Sequence, residues 1–219
     1  MGSQRAVEPL LRSLGDESRA VRAAAGRSLG RLQAVEAVAP LVAALVEGRV
    51  PRAVAGHALL SAGPASLPRL RALALDSDAE TRTVVIELIG LLGDAADAPL
   101  VSERLRDSSA EVRAKATRAL GRLGAAEAAG ELRTALADRI PFVRATAAIA
   151  LGMIGDRDAA SALLAQARTD EFDPAQAAAR ALARVDPPLL WDAARRLGQG
   201  PHVAEAADLT AVRRLPAPG

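Results

Sequence analysis

The chain of 219 residues contains no cysteine and no tyrosine, and its aromatic side chains are one tryptophan, Trp191, and two phenylalanines, Phe142 and Phe172. Without cysteine there is no disulfide framework, no thiolate zinc site and no cysteine nucleophile. That usage suits a reducing compartment, and a cytoplasmic protein is expected. Long apolar runs are missing too. No stretch approaches the roughly eighteen apolar residues that cross a bilayer, and the opening MGSQRAVEPL lacks the apolar core of a signal peptide. Histidine is confined to His57 and His202 and lysine to Lys115, so little titrates between the carboxylates and arginine. The pI of about 10.2 therefore reflects only 28 Lys+Arg against 26 Asp+Glu, and is no sign of a nucleic-acid partner.

What is present is a core-forming supply of small and branched apolar residues: half the chain is hydrophobic and a quarter is charged. With so few aromatics the core must be built from Ala, Leu, Val and Ile, a composition that favours closely packed helices.

A string near DSSAEVRAKATRALGRLG (107–124) returns as DRIPFVRATAAIALGMIG (138–155), DSDAETRTVVIELIGLLG (76–93) and DESRAVRAAAGRSLGRLQ (16–33). Aligned on their arginines, Arg22, Arg52, Arg82, Arg113 and Arg144 lie 30, 30, 31 and 31 residues apart, and Ala175 continues the register. A fixed period of this length marks stacked units. Each string reads as a helix of about thirteen residues. Ser18, Asp78, Ser109 and Asp173 stand at N-cap positions, Pro51, Pro141 and Pro174 at or beside the first helical position, and Gly93, Gly124 and Gly155 at the end.

The intervening segments, 6–14, 37–48, 65–75, 97–107, 127–138 and 158–170, read as second, outer helices with Pro9, Pro40, Pro68 and Pro99 in their first turns. A hairpin of two such helices cannot bury both faces alone, and stacking joins the apolar stripes into one core. The expected fold is all-α: a right-handed α-solenoid of about seven stacked hairpins forming one domain over 1–219. Its repeats span about 5–33, 34–63, 64–93, 94–124, 125–155 and 156–186, with a capping hairpin at 187–219. The first outer helix has no partner before it. The apolar side formed by Val7, Leu10, Leu11 and Leu14 is therefore expected to be incompletely covered, and to be met by further upstream sequence or by self-association through this helix.

The pattern D-x-x-x-x-V-R-x-x-A-x-x-A-L-G-x-[LI]-G, followed by A-V-x-P-L, resembles the HEAT-like repeat of the phycobilisome-lyase type over residues 5 to about 186. The resemblance implies the solenoid fold. It leaves function open, because such repeats serve lyases, a metal hydroxylase, DNA glycosylases and plain interaction proteins. It also implies that Asp16, Asp76, Asp107 and Asp138, each six residues before an arginine, belong to an Asp–Arg ladder between repeats rather than to a catalytic site.

The other candidate sites are thin. The histidines have Ala58 and Val203 where the HEAT-like deoxyhypusine hydroxylase places its ligating glutamates, so no metal or cofactor site is expected, and His57 reads as a groove residue. Arg195, Arg196 and Trp191 cluster near the end, but a glycosylase-like groove needs aromatics interleaved with basic residues. Gly30, Gly90, Gly121 and Gly152 lack the strand and Lys of a phosphate loop and are expected to let helices approach closely.

The resemblance places the inner-face positions of the fourth to sixth units at Lys115, Arg118 and Arg122, at Phe142, Thr146, Ile149 and Met153, and at Phe172, Gln176, Arg180 and Arg184, and all of these except Lys115 and Phe172 are the nine candidate groove residues. Phe142, Ile149 and Met153 share a helix face at spacings of seven and four, with arginines on either side. Two readings stand: the apolar side chains thicken the core, or they form a groove for an acidic, partly apolar segment of a protein partner. The functional expectation is a non-catalytic interaction scaffold. The alternative is an enzyme or enzyme subunit, bilin lyase-like or DNA glycosylase-like.

Overall fold

The computed structural model describes residues 2–76 and 78–197, with side chains described for 5–75 and 78–193, and no strand occurs among them. In chain order the α-helices are α1 (Gly2–Ser13), α2 (Arg19–Arg31), α3 (Val38–Val46), α4 (Arg52–Ala62), α5 (Leu67–Asp76), α6 (Ala79–Leu92), α7 (Ala98–Glu103), α8 (Ala110–Leu123), α9 (Ala129–Ala135), α10 (Pro141–Ile154), α11 (Ala160–Thr169), α12 (Phe172–Val185) and α13 (Pro187–Leu197). They alternate short and long as outer and inner helices of successive hairpins. The fold is an all-α solenoid of helical repeats, in two compact units, Met1–Leu100 and Val101–Gly219.

In the first unit α1 packs on α2, α3 on α4 and α5 on α6, and the inner helices stack α2 on α4 and α4 on α6. In the second, α9 packs on α10 and α11 on α12, while α8, α10 and α12 stack in order and α13 lies on α12. The second helix expected in the capping hairpin lies outside the described residues.

The stacking seam follows from side-chain size. A Cβ added to Gly30 would lie 2.9 Å from the Ala58 Cα, one on Gly121 2.9 Å from the Ala150 Cα, and one on Gly152 3.0 Å from the Ala181 Cα. Glycine on one inner helix and alanine on the next thus bring the backbones together, as expected for Gly30, Gly121 and Gly152. Between the seams a leucine from each repeat, Leu120, Leu151 and Leu182, is fully buried, each worth about 2 kcal/mol of transfer free energy.

The outer helices α3, α5, α7, α9 and α11 begin later than the sequence suggests. Each is preceded by a 3₁₀ turn: Val35–Ala37 before α3, Gly63–Ser66 before α5, Ala95–Asp97 before α7, Ala126–Ala128 before α9 and Arg157–Ala159 before α11. The last residue of each turn is buried, so the chain tightens there to return to the core. Conversely α1 starts earlier than expected, which puts Pro9 in its interior rather than its first turn; Pro9 is exposed there.

Helix ends also depart in part from expectation. Asp78 caps α6, its Oδ1 accepting from the Glu80 and Thr81 N–H groups. Ser18 and Ser109 occupy N-cap positions without a side-chain bond; instead Asp16 and Asp107 accept from their N–H groups. Asp173 is not a cap, because α12 begins one residue before it and Glu171 is the N-cap. Gly124 and Gly155 end α8 and α10 in the left-handed region, at φ 66° and 75°.

Candidate functional site

In the second unit α10 lies between α8 and α12. Val143, Ala147, Ala150 and Leu151 of α10 are buried, whereas Phe142, Ile149 and Met153 keep 41%, 44% and 44% of their surface exposed. These three are therefore partly covered and partly open to water, unlike the buried residues around them. Thr146, between them, is buried: its hydroxyl donates to the Val143 carbonyl (2.9 Å) and accepts from the Thr117 hydroxyl of α8 (2.7 Å).

Arg118 and Arg122 stand exposed on α8, Arg180 and Arg184 on α12, with Gln176 half-buried beside them. Arg118, Phe142, Thr146, Ile149, Gln176, Arg180 and Arg184 line one open cavity of about 480 Å³, so the structure brings seven of the nine candidate residues together. Arg122 and Met153 do not line it. Met153 instead lays its sulfur 3.3 Å from where a Gly121 Cβ would stand.

Sequence reasoning missed Asp173, the carboxylate in the cavity lining, and the small residues Ala145, Ala177 and Ala181 that leave room for it. Asp173 is one period after Phe142, so the register could have placed it on this face. It was read as a cap instead.

The carboxylates before the repeat arginines lead elsewhere. Arg113 Nη1 donates to the backbone carbonyls of Asp107 and Ser108, while Nε and Nη2 donate to the two oxygens of Asp138 in the next repeat at 2.7 and 3.0 Å. Arg144 repeats this, with the Asp138 carbonyl behind it and the Asp170 carboxylate ahead. In the second unit the Asp–Arg ladder thus joins successive repeats, through Asp170 as well as the expected Asp138. In the first unit Arg22 bonds the Asp16 and Glu17 carbonyls and donates to the Arg49 carbonyl, and Arg52 pairs with Glu80 at 2.6 Å. The Asp76 side chain lies outside the described residues. A second link, between outer elements, sets Arg71 bidentate on buried Asp97 at 2.6 and 2.9 Å.

Hydrogen bonds from Arg71, Arg113 and Arg144 hold Asp97, Asp138 and Asp170 below the usual carboxylate range, against the opposing effect of burial.

His57 is exposed on α4. His202 and the side chains of Arg195 and Arg196 lie outside the described residues. Val7, Leu10 and Leu11 of α1 are half-covered, in line with the incomplete cover expected of this side, whereas Leu14 is buried, which corrects the expectation at that residue. Among the described residues no group of three His, Asp or Glu side chains could hold a metal ion, and no helix is long and apolar enough to cross a membrane.

With the stacked hairpins and their Arg–Asp links in place, a family model described as HEAT repeats matches residues 1–60 and 98–183, more than half of the chain. The chain belongs to the HEAT-repeat family. No curated protein matches it. Among solved structures, an Escherichia coli protein, YibA, is similar at TM-score 0.60 and 18% identity, over 95% of this chain and 82% of its own. An engineered protein is similar at TM-score 0.56 and 19% identity, over 82% and 96%. The complex of CpcE and CpcF of phycocyanin lyase from Nostoc reaches TM-score 0.47 at 22% identity, over 95% and 82%. The first two likenesses show the HEAT-repeat fold alone, and the third carries no argument.

Proposed function

We propose that this HEAT-repeat protein is a non-catalytic interaction module, and that the α8–α10–α12 face binds an acidic, partly apolar segment of a partner protein. One observation carries the reading: Phe142, Ile149 and Met153 stay exposed in a row, bordered by the exposed Arg118, Arg122, Arg180 and Arg184. Apolar side chains left in water on an otherwise well-buried helix gain free energy only when something covers them. The arginines add long-range attraction for negative charge, which acts on the rate of encounter more than on final affinity.

The test is affinity capture from a lysate of the source organism, using the full chain and a Phe142→Ala/Met153→Ala variant side by side. A protein held by the first and released by the second is the expected result; identical captured sets overturn the proposal.

A further inference from the structure

We infer that the occupant of this groove is a single amphipathic α-helix whose apolar stripe is flanked by carboxylates on both sides. The inference rests on the groove reading above and adds the conformation and charge layout of the partner.

The surface has three parallel lanes. The middle lane is the apolar row on α10, from Phe142 to Met153, which at about 1.5 Å per residue spans about 16 Å, or three helical turns. The outer lanes are arginine pairs four residues apart: Arg118 and Arg122 on α8, Arg180 and Arg184 on α12. Arg118, Arg122 and Arg184 form no hydrogen bond or ion pair among the described residues, so their charges are not already spent on the fold.

A ligand that satisfies three lanes needs three lanes of its own. An extended segment has side chains on two opposite faces, so with its apolar face on α10 its remaining side chains point away from the arginines. An amphipathic helix has an apolar stripe with polar residues at both borders, and its carboxylates four residues apart repeat at about 6 Å, the rise between arginines on α8 and on α12. Size agrees. Stacked helix axes are about 8–10 Å apart, so the arginine lanes are separated by about twice that, which admits a helix about 10–12 Å wide. Arg118, Arg180 and Arg184 share one cavity with Phe142 and Ile149, which brings both lanes to the apolar floor. The layout is also polar lengthwise. Asp173 stands in the lining near Phe142, whereas Arg122 and Arg184 lie toward Met153, so the partner's carboxylates concentrate at the Met153 end.

Three fluorescein-labelled peptides of about four helical turns test this on the full chain. The first carries leucines at helical spacing with glutamates at both borders. The second has the same residues reordered to strict alternation, and the third is the first with lysine for glutamate. Anisotropy reads affinity and circular dichroism reads peptide helicity. The first peptide should bind at least about tenfold more tightly than the others, gain helix on binding, and lose about tenfold on Phe142→Ala or Arg184→Glu. If the alternating peptide binds as well and is equally weakened by Phe142→Ala, the helix inference is overturned while the groove reading stands. Equal binding of the lysine peptide overturns the acidic partner. If no peptide binds, or binding survives the Phe142→Ala/Met153→Ala variant, the groove reading falls and takes the inference with it.

Discussion

Arg113 and Asp138 face each other across two successive repeats with two parallel hydrogen bonds, both side chains about nine-tenths buried. The remaining guanidinium nitrogen holds the carbonyls of Asp107 and Ser108 just ahead of its own helix α8, so one side chain fixes a helix entry and a repeat junction together. Removing one partner strands the other without its counter-charge. Arg113→Ala should cost about 3 kcal/mol in chemical denaturation, and Arg113→Lys most of that, since a lysine cannot reproduce the fork. A loss below about 1 kcal/mol would show that the pair is dispensable.

Acid stability follows from the same links. Asp97, Asp138 and Asp170 titrate below their unfolded values, near about 3.9, so their contribution is complete above that value and disappears as pH falls through the lower folded values. The melting temperature should be level between about pH 5 and 7 and fall steeply below about pH 4. Asp138→Asn should start lower and fall less steeply, as followed by circular dichroism.

Gly121 and Gly130 make opposite predictions for the same substitution. A methyl at Gly121 meets the Ala150 backbone, so Gly121→Ala must spread α8 from α10 and should cost about 1–3 kcal/mol. Gly130, inside α9, has nothing within 4 Å of an added Cβ, and Gly130→Ala should add about 0.5–1 kcal/mol. Thermal melts of the two variants check the sign of each.

Exposure of the groove residues has a direct stability test. Leu120 is fully buried, and Leu120→Ala should cost about 2–5 kcal/mol, whereas Phe142→Ala and Met153→Ala should each cost less than about 1 kcal/mol. Equal losses at Leu120 and Phe142 would return the aromatic ring to the core.

Phe172 opens α12 at φ 49° with 76% of its surface exposed. Glycine takes this conformation freely and alanine does not, so Phe172→Gly should be more stable than Phe172→Ala by about 1 kcal/mol, although both remove the same ring. Equal melting temperatures would show that the strain is not there.

Much of the fold was legible because its causes are local and recur. The arginine register, the terminal glycines and the alternation of apolar positions act within a turn or two of helix, and repetition confirms each reading. The 3₁₀ turns were not legible, since Glu127 and Ala128 read as the start of an outer helix until the buried Ala128 pulls the chain inward. Asp173 was misplaced for a related reason: a residue suited to capping does not show where the preceding chain will begin the helix. The ladder was foreseen as a pattern, but its pairing was not. Asp107 lends Arg113 its carbonyl, and the carboxylate that Arg113 grips is one repeat further on.

Sequence alone thus determined that this chain is a stack of helical hairpins, because backbone dihedral preferences and the period of apolar side chains are carried by neighbouring residues. Tertiary structure alone decided which inner-face side chains stay in water. Thr146 and Ile149 lie three residues apart on one helix, yet Thr146 is buried in a hydroxyl pair with Thr117 while Ile149 stands open over a floor of alanines. Thr146 meets a hydroxyl of the neighbouring helix whereas Ile149 faces the open cavity, and which residue meets a neighbour is decided by helices a full repeat apart in the chain.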